Sequence, residues 1–199
     1  MLKTKVKVGN VTNLSEARYC AGMGVDMLGF SVGPDLGSID PKKYKEITEW
    51  VSGPDFVIEW GEAEIPGDFA NILQPYNAGF VEIDARQLKN INEIGSRLIV
   101  TLKAGDWQSL REMILSYKNR ISYVVLTGAE VHRLDRLLIA EIGHEFPLLL
   151  GFGVSENLDV LSDLPIAGIC LSGTGESSPG LKDYSHLSGI LERLEVREE

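Results

Sequence analysis

Two glycine-rich turns near the C-terminal end of the sequence are the clearest candidates for ligand binding. The first contains Gly151 and Gly153, and the second contains Ser172, Gly173 and Thr174; each follows an apolar run that is typical of a strand. Glycine allows the backbone to turn sharply and to come close to a ligand. The free N–H groups and partial positive charge at the start of a following helix would suit a phosphate. These residues predict a binding site for a small phosphorylated ligand.

Charged residues interrupt several of the apolar runs. Because alternate side chains share one face of a strand, Glu82 and Asp84 are expected on the same face. Lys7 lies two residues before Gly9, so the two residues share a strand face, and Glu59 interrupts the third apolar run. Two interpretations are open. Lys7 forms a structural ion pair with Glu82 or Glu59, or Asp84 acts as a base with Lys7 or Lys103 as the electrophile.

Metal or cofactor chemistry is not indicated by the sequence. Cys20 and Cys170 are the only cysteines, and both lie in apolar surroundings. Two cysteines do not make a metal site. The three histidines, at positions 132, 144 and 186, fall away from the predicted strand ends and are expected at the surface. We therefore expect no metal and no cofactor.

The candidate residues lie on strands that alternate with segments of helical period. The apolar, strand-like runs are 6–8, 26–32, 55–60, 79–84, 97–102, 121–126, 147–150 and 166–171. Between them, apolar residues recur at helical spacing, as in Leu110, Met113, Ile114 and Tyr117. Eight such units favour a parallel sheet closed into a (β/α)8 TIM barrel. The loops after the seventh and eighth strands of such barrels often bind phosphate, and both glycine-rich turns fall there.

Length and charge limit the remaining possibilities. The 199 residues suit a single-domain barrel over 1–199, with the acidic segment 195–199 expected to be a frayed tail. A net charge of −10 argues against binding to nucleic acid or to an anionic membrane surface. No apolar run approaches the roughly 18 residues of a membrane span, and the start lacks the apolar core of a signal peptide. We expect a cytoplasmic protein that is a monomer or a homodimer.

Four segments carry a more specific signal. They are KVGNVTN at 7–13, GVDMLGF at 24–30, GVSEN at 153–157 and ESSPGLKD at 176–183. In this order they resemble KICGITN, GADALGF, GLxPEN and ExxPGxKD of the phosphoribosylanthranilate isomerase family, and the last motif is fairly specific. The family consists of barrel enzymes of tryptophan biosynthesis that rearrange an aminoribosyl phosphate to an aminoketose. The resemblance implies a phosphorylated sugar derivative as ligand.

At the reacting end the sequence departs from this family. The resemblance places the family's general base, a Cys, at Gly9 and its general acid, an Asp, at Thr127. A loop Arg that helps to hold the anthranilate is replaced by Gly37, a strand His by Asp84, and a strand Asp by Cys170. Glycine has no proton to transfer, and a threonine hydroxyl is a far weaker acid than a carboxylic acid. A positioned acid and base each contribute about 10²–10⁴-fold, so we expect the native isomerase activity to be weak or absent.

Three functional hypotheses follow. The first is an isomerase-like barrel that binds a phosphorylated sugar derivative. The second is a non-catalytic paralogue that binds a phosphometabolite as a sensor or scaffold. The third is a different proton-transfer reaction on a phosphosugar that uses Asp84 and Lys7.

Overall fold

Eight parallel strands form a closed barrel in the order β1 to β8. The computed structural model describes residues 1–34, 37–91, 94–128, 135–151, 163–173, 176–178, 181–182 and 184–196. The barrel strands are β1 Lys5–Gly9, β2 Met27–Ser31, β3 Asp55–Glu59, β4 Phe80–Asp84, β5 Arg97–Lys103, β6 Ile121–Thr127, β7 Leu148–Gly151 and β8 Gly168–Ser172. The predicted (β/α)8 barrel is confirmed, and each strand overlaps the apolar run that predicted it.

The strands are connected on the outside of the barrel by helices. The α-helices of the described residues are α1 Leu14–Gly22, α2 Pro41–Thr48, α3 Phe69–Leu73, α4 Trp107–Ser116, α5 Arg136–Glu145 and α6 Ser185–Leu194. The helical segment predicted after β4 is a 3₁₀ helix, Ala85–Asn90. The segment that follows β7 lies outside the described residues.

Local sequence signals explain where the first two helices begin. The side chain of Asn13 accepts a hydrogen bond from the N–H of Glu16 at 2.9 Å, so Asn13 is the N-cap of α1. Asp40 caps α2 by accepting from the N–H of Lys43 at 2.7 Å, and Pro41 stands at the first helical position. The loops that end at these caps follow β1 and β2, so they lie at the C-terminal mouth of the barrel.

The interior of the barrel is layered. The lower layer is an apolar cluster, separate from the larger core between strands and helices, of Met27, Val57, Phe80, Ile99, Val125 and Leu149. Because side chains two residues apart share a face, the next inward positions of β3 and β4 are Glu59 and Glu82. By the same rule, Thr101 and Thr127 follow on β5 and β6. The apolar layer is therefore the base on which a polar layer stands, toward the C-terminal mouth.

A short hairpin between β8 and α6 was not anticipated from the sequence. It consists of β9 Glu176–Ser178 and β10 Leu181–Lys182, which pair antiparallel. Near the other end of the barrel, Leu2 pairs with Glu195, and the N–H of Val196 donates to the carbonyl of Met1 at 3.0 Å. Residues 197–199 of the predicted acidic tail lie outside the described part of the chain.

Among the described residues, none of the helices is long and apolar enough to cross a membrane. Within the same residues, no group of three or more His, Cys, Asp or Glu side chains is arranged to hold a metal ion.

Candidate functional site

A cavity of about 510 Å³ opens at the C-terminal ends of the barrel strands. Its lining includes Lys7, Asp84, Thr127 and Ser172, all predicted as site residues. Gly151 and Gly173 are near the mouth but do not line the cavity. Gly153 and Thr174, the other two predicted phosphate-binding residues, lie outside the described residues.

The floor of the cavity is a buried ion layer centred on Lys7. The side chain of Lys7 is 1% exposed, and its ammonium contacts Glu59 Oε1 and lies 2.7 Å from Glu82 Oε2. The contact with Glu82 is within ion-pair distance but is not aligned as a hydrogen bond. The second oxygen of Glu59 accepts from the N–H of Asn10 at 2.8 Å, and that of Glu82 accepts from the Thr101 hydroxyl at 2.7 Å. The predicted ion pair is therefore present, with both candidate carboxylates.

The charge state of Lys7 follows from this arrangement. Burial by itself would lower the pKa of Lys7, because it disfavours the charged amine. The facing carboxylates outweigh burial and hold the pKa of Lys7 well above its usual value. Lys7 is therefore an ammonium ion at neutral pH, and it offers neither a free amine nucleophile nor a base. Since one ammonium faces two carboxylates, the floor carries a net negative charge.

Cys170 completes the floor from β8. Its Sγ lies 3.7 Å from Lys7 Nζ. Burial raises the pKa of the Cys170 thiol to about 12, although the Lys7 ammonium opposes the shift. The thiol is therefore neutral at physiological pH, and it lacks the thiolate character that a cysteine nucleophile needs.

The raised pKa of Cys170 predicts how the stability of the folded protein changes at alkaline pH. Because its pKa is higher in the folded chain, the unfolded chain releases this proton first as the pH rises above about 9, and stability must then fall. We expect Cys170→Ser to reduce this fall by roughly 1 kcal/mol between pH 9 and pH 10. Urea unfolding of both proteins at pH 7, 9 and 10 measures the difference. Equal pH dependence of the two proteins would contradict the assignment.

The missing side chain at position 9 is explained by packing. A Cβ atom at Gly9 would lie 2.5 Å from Glu59 Oε1. A Cβ atom at Gly29, on the neighbouring strand, would overlap the same oxygen and lie 3.0 Å from the Cα of Gly9. The carboxylate of Glu59 therefore occupies the space that a side chain at either position would need. This relation between the two glycines and Glu59 was not found from the sequence.

Asp84 is held by Arg86, a residue that was not predicted as part of the site. Its Oδ1 accepts from the backbone N–H and the Nε of Arg86 at 2.9 Å and 2.7 Å, and its Oδ2 accepts from Nη2 at 2.9 Å. The backbone contact begins the 3₁₀ helix after β4. Both oxygens of this predicted base are therefore engaged by one guanidinium group. The Asp-x-Arg spacing directly after a strand was the available signal.

A second carboxylate at the mouth connects the loops after β3 and β4 to the end of β5. Glu62 accepts from Arg86 Nη2 at 2.9 Å and pairs with Lys103 Nζ at 2.7 Å. Hydrogen bonds from Lys103 and Arg86 lower the pKa of Glu62 below its usual value. Lys103, predicted as an alternative electrophile, thus has a carboxylate partner. We call Asp84, Arg86, Glu62 and Lys103 the rim network.

Thr127 and Gly151 are in close contact at the ends of β6 and β7. The Thr127 hydroxyl donates to the carbonyl of Leu102 at 3.4 Å. A Cβ atom at Gly151 would lie 3.0 Å from the Thr127 methyl group and 3.2 Å from the carbonyl oxygen of Leu126. Gly151 therefore allows these strand ends to pack closely, in addition to any role in binding.

The second glycine-rich turn is packed against the end of β1. The N–H of Gly173 donates to the carbonyl of Gly9 at 2.6 Å, and a Cβ at Gly173 would lie 2.9 Å from that oxygen. This N–H group is thus already used within the barrel. Ser172 is exposed and lines the cavity, so it is the described residue of this turn that can reach a ligand.

Comparison with protein-family models gives no match, and neither does comparison with curated proteins. The structure, however, is similar to solved phosphoribosylanthranilate isomerases. The protein from Thermotoga maritima has a TM-score of 0.76 at 20% identity, with 96% of this chain and 98% of that chain covered.

Two further structures agree with this comparison. A phosphoribosylanthranilate isomerase in complex with reduced 1-(o-carboxyphenylamino)-1-deoxyribulose 5-phosphate has a TM-score of 0.72 at 19% identity, covering 95% of this chain and 97% of that one. Monomers generated from the dimeric Thermotoga maritima isomerase have a TM-score of 0.67 at 21% identity, covering 94% and 95%. The chain therefore has the fold of these proteins over nearly its whole length, and its activity must be argued from its own site.

Proposed function

We propose that this barrel is a divergent relative of phosphoribosylanthranilate isomerase that binds a phosphorylated sugar derivative, with the native isomerase activity weak or absent. The observation that carries the proposal is the cavity floor, where the Glu59 carboxylate takes the space of a side chain at Gly9. Two further observations support it: the fold, and the four sequence segments that resemble the isomerase family.

The size and lining of the cavity are compatible with such a ligand. Its volume of about 510 Å³ lies in the range of about 300–1,000 Å³ that is usual for small-molecule sites. Glu59 and Glu82 line it with side chains that are 14% and 13% exposed. Because a carboxylate oxygen has more than one lone pair, each can still accept a hydrogen bond from a ligand hydroxyl. A polyhydroxy ligand fits this floor better than an apolar one.

The same residues explain why the isomerisation that the family catalyses should be slow in this protein. Gly9 supplies no base, and the Thr127 hydroxyl is a poor acid. Lys7 is a paired ammonium, and the oxygens of Asp84 are engaged by Arg86. A missing acid and a missing base each remove about 10²–10⁴-fold in rate. The arrangement stabilises a charged floor and does not provide a proton-transfer pair.

A ligand-binding experiment tests both parts of the proposal. Ribose 5-phosphate at about 100 times its Kd should stabilise the protein by about 2.7 kcal/mol, which raises the Tm by roughly 5–10 °C. Ribose without phosphate serves as the control and should give no shift. Phosphoribosylanthranilate, followed spectroscopically, should give little or no product. Normal turnover would contradict the loss of activity, and no shift with any phosphosugar, phosphate or sulfate would contradict the binding site.

Two alternatives use the same cavity. A non-catalytic sensor or scaffold is favoured by the pairing of Lys7 and Asp84 with other residues. A different proton-transfer reaction would use Asp84 and Lys7, which both line the cavity. Formation of a product from a bound phosphosugar would support the proton-transfer reaction. Stabilisation of the protein without any product would support the sensor or scaffold. Assembly as a monomer or homodimer remains a prediction.

A further inference from the structure

Two cationic side chains converge on one carboxylate at the mouth of the cavity. Lys103 Nζ lies 2.7 Å from one oxygen of Glu62, and Arg86 Nη2 lies 2.9 Å from the other. Lys103 is the last residue of β5, and Arg86 follows the end of β4. Their side chains are 47% and 45% exposed; Lys103 and Glu62 line the cavity, and Arg86 borders it through its contact with Glu62.

The geometry is that of an anion held between two cations. Each oxygen of Glu62 has its own cationic donor, which is how a bound carboxylate or phosphate group is usually held. Asp84 fixes the orientation of the guanidinium through hydrogen bonds from Nε and Nη2, at 2.7 Å and 2.9 Å. Without Glu62, Arg86 would keep Asp84 as its carboxylate partner, and Lys103 would have none among the ion pairs of the described residues. This part of the wall would then be positive, although the floor is negative.

Glu62 is well suited to be displaced. Its side chain is 60% exposed and belongs to the connection between β3 and α3, not to a strand. Ion pairs between exposed side chains are individually weak, because solvent screens them and both side chains lose conformational freedom. An anionic ligand anchored elsewhere in the cavity would compete with Glu62 at a high effective concentration. Glu62 therefore acts as a built-in competitor for this position.

We propose that Lys103 and Arg86 form a second anion-binding site, which Glu62 occupies until a ligand displaces it. This inference rests on the proposed function, because it adds a second charged group to the same ligand. In the closed strand order, β4 lies opposite β8, so the site faces the β8 turn across the mouth. The ligand class is a sugar derivative with a phosphate at one end and a second anionic group, a carboxylate or a phosphate, at the other.

Calorimetric titration of the full chain with three probes tests this site. Fructose 6-phosphate has one anionic group, fructose 1,6-bisphosphate has two phosphates, and 6-phosphogluconate has a phosphate and a carboxylate. We expect Glu62→Gln to tighten binding of the doubly anionic probes about tenfold and Lys103→Met to weaken it by a similar factor. Binding of fructose 6-phosphate should change little in either variant. The probe with the larger response identifies the second group.

Glu145→Gln is the matched control, because Glu145 pairs with Lys118 at 2.8 Å in a similarly exposed ion pair that does not line the cavity. It should leave all three affinities unchanged. If fructose 6-phosphate binds and neither rim variant alters the preference for doubly anionic probes, the second site is wrong and the proposed function stands. If only the doubly anionic probes bind, and their binding depends on Lys103, the anion site at Lys103 and Arg86 is supported and the phosphate site at the glycine-rich turns is not. No binding of any probe to any variant overturns both.

Discussion

Replacing Lys7 by methionine should destabilise the barrel by about 3–5 kcal/mol, because the change leaves buried carboxylates without their cation. Lys7 is 1% exposed and lies between Glu59 and Glu82, whose side chains are also largely buried. The apolar layer beneath them admits no compensating charge. For a chain of this size, a loss of this magnitude lowers the Tm by roughly 6–20 °C. Urea and thermal unfolding at pH 7 measure it.

Two further variants separate charge from packing in this experiment. Lys118→Met removes an exposed lysine whose side chain is 48% exposed, and it should cost less than about 1 kcal/mol. The triple variant Lys7→Met, Glu59→Gln, Glu82→Gln removes the layer's ionic charges together and should recover most of the lost stability. A Lys7→Met protein within 1 kcal/mol of the unmodified chain would show that the layer is not the stabilising element described above.

Replacing Gly29 by alanine should destabilise the protein by about 3 kcal/mol, at the upper end of the usual cost of overpacking. The new methyl group would overlap the Glu59 carboxylate and approach the Cα of Gly9 to 3.0 Å. A flexible side chain could normally turn away at little cost. Glu59 cannot do so cheaply, because its oxygens are held by Lys7 and by the N–H of Asn10. Chemical unfolding of the variant gives the loss directly.

A control and a double-mutant cycle show whether this clash is the cause. Gly189→Ala, in α6, meets no atom within 4 Å and should be neutral or stabilising by up to about 1 kcal/mol, since alanine favours a helix. Gly29→Ala combined with Glu59→Ala should cost clearly less than the sum of the two single changes. Strict additivity would mean that Gly29 and Glu59 do not compete for the same space.

The barrel could be predicted because its strands are short apolar runs with strong contrast to the helices between them. A parallel strand covered on both faces must be apolar along its length, so its signal survives without any alignment. The hairpin of β9 and β10 could not be predicted, because strands of two or three residues show no period. In α5, Leu137 is 84% exposed although it is apolar, because Ile139 and Ile142 take the buried positions.

The site was only partly predictable, because some of its residues lie on strands and others lie in turns. Strand alternation was enough to anticipate that Lys7 would meet Glu59 or Glu82 inside the barrel. Arg86 and Glu62 lie in the turns that follow β4 and β3, where side-chain direction depends on the local backbone and not on a period. The sequence also showed a glycine at position 9 without showing what fills the space. That answer required the packing of Glu59 across two neighbouring strands.

The ion layer joins residues that are far apart in the chain, and this has a consequence for the kinetics of folding. Lys7 and Glu59 are 52 positions apart, and Lys7 and Cys170 are 163 apart. We expect the layer to become buried only when the barrel closes around it, so the attraction between these groups should contribute little to the transition state. Interactions that form after the transition state change the rate of unfolding and leave the rate of folding nearly unaltered. The layer should therefore lengthen the lifetime of the closed barrel without hastening its formation.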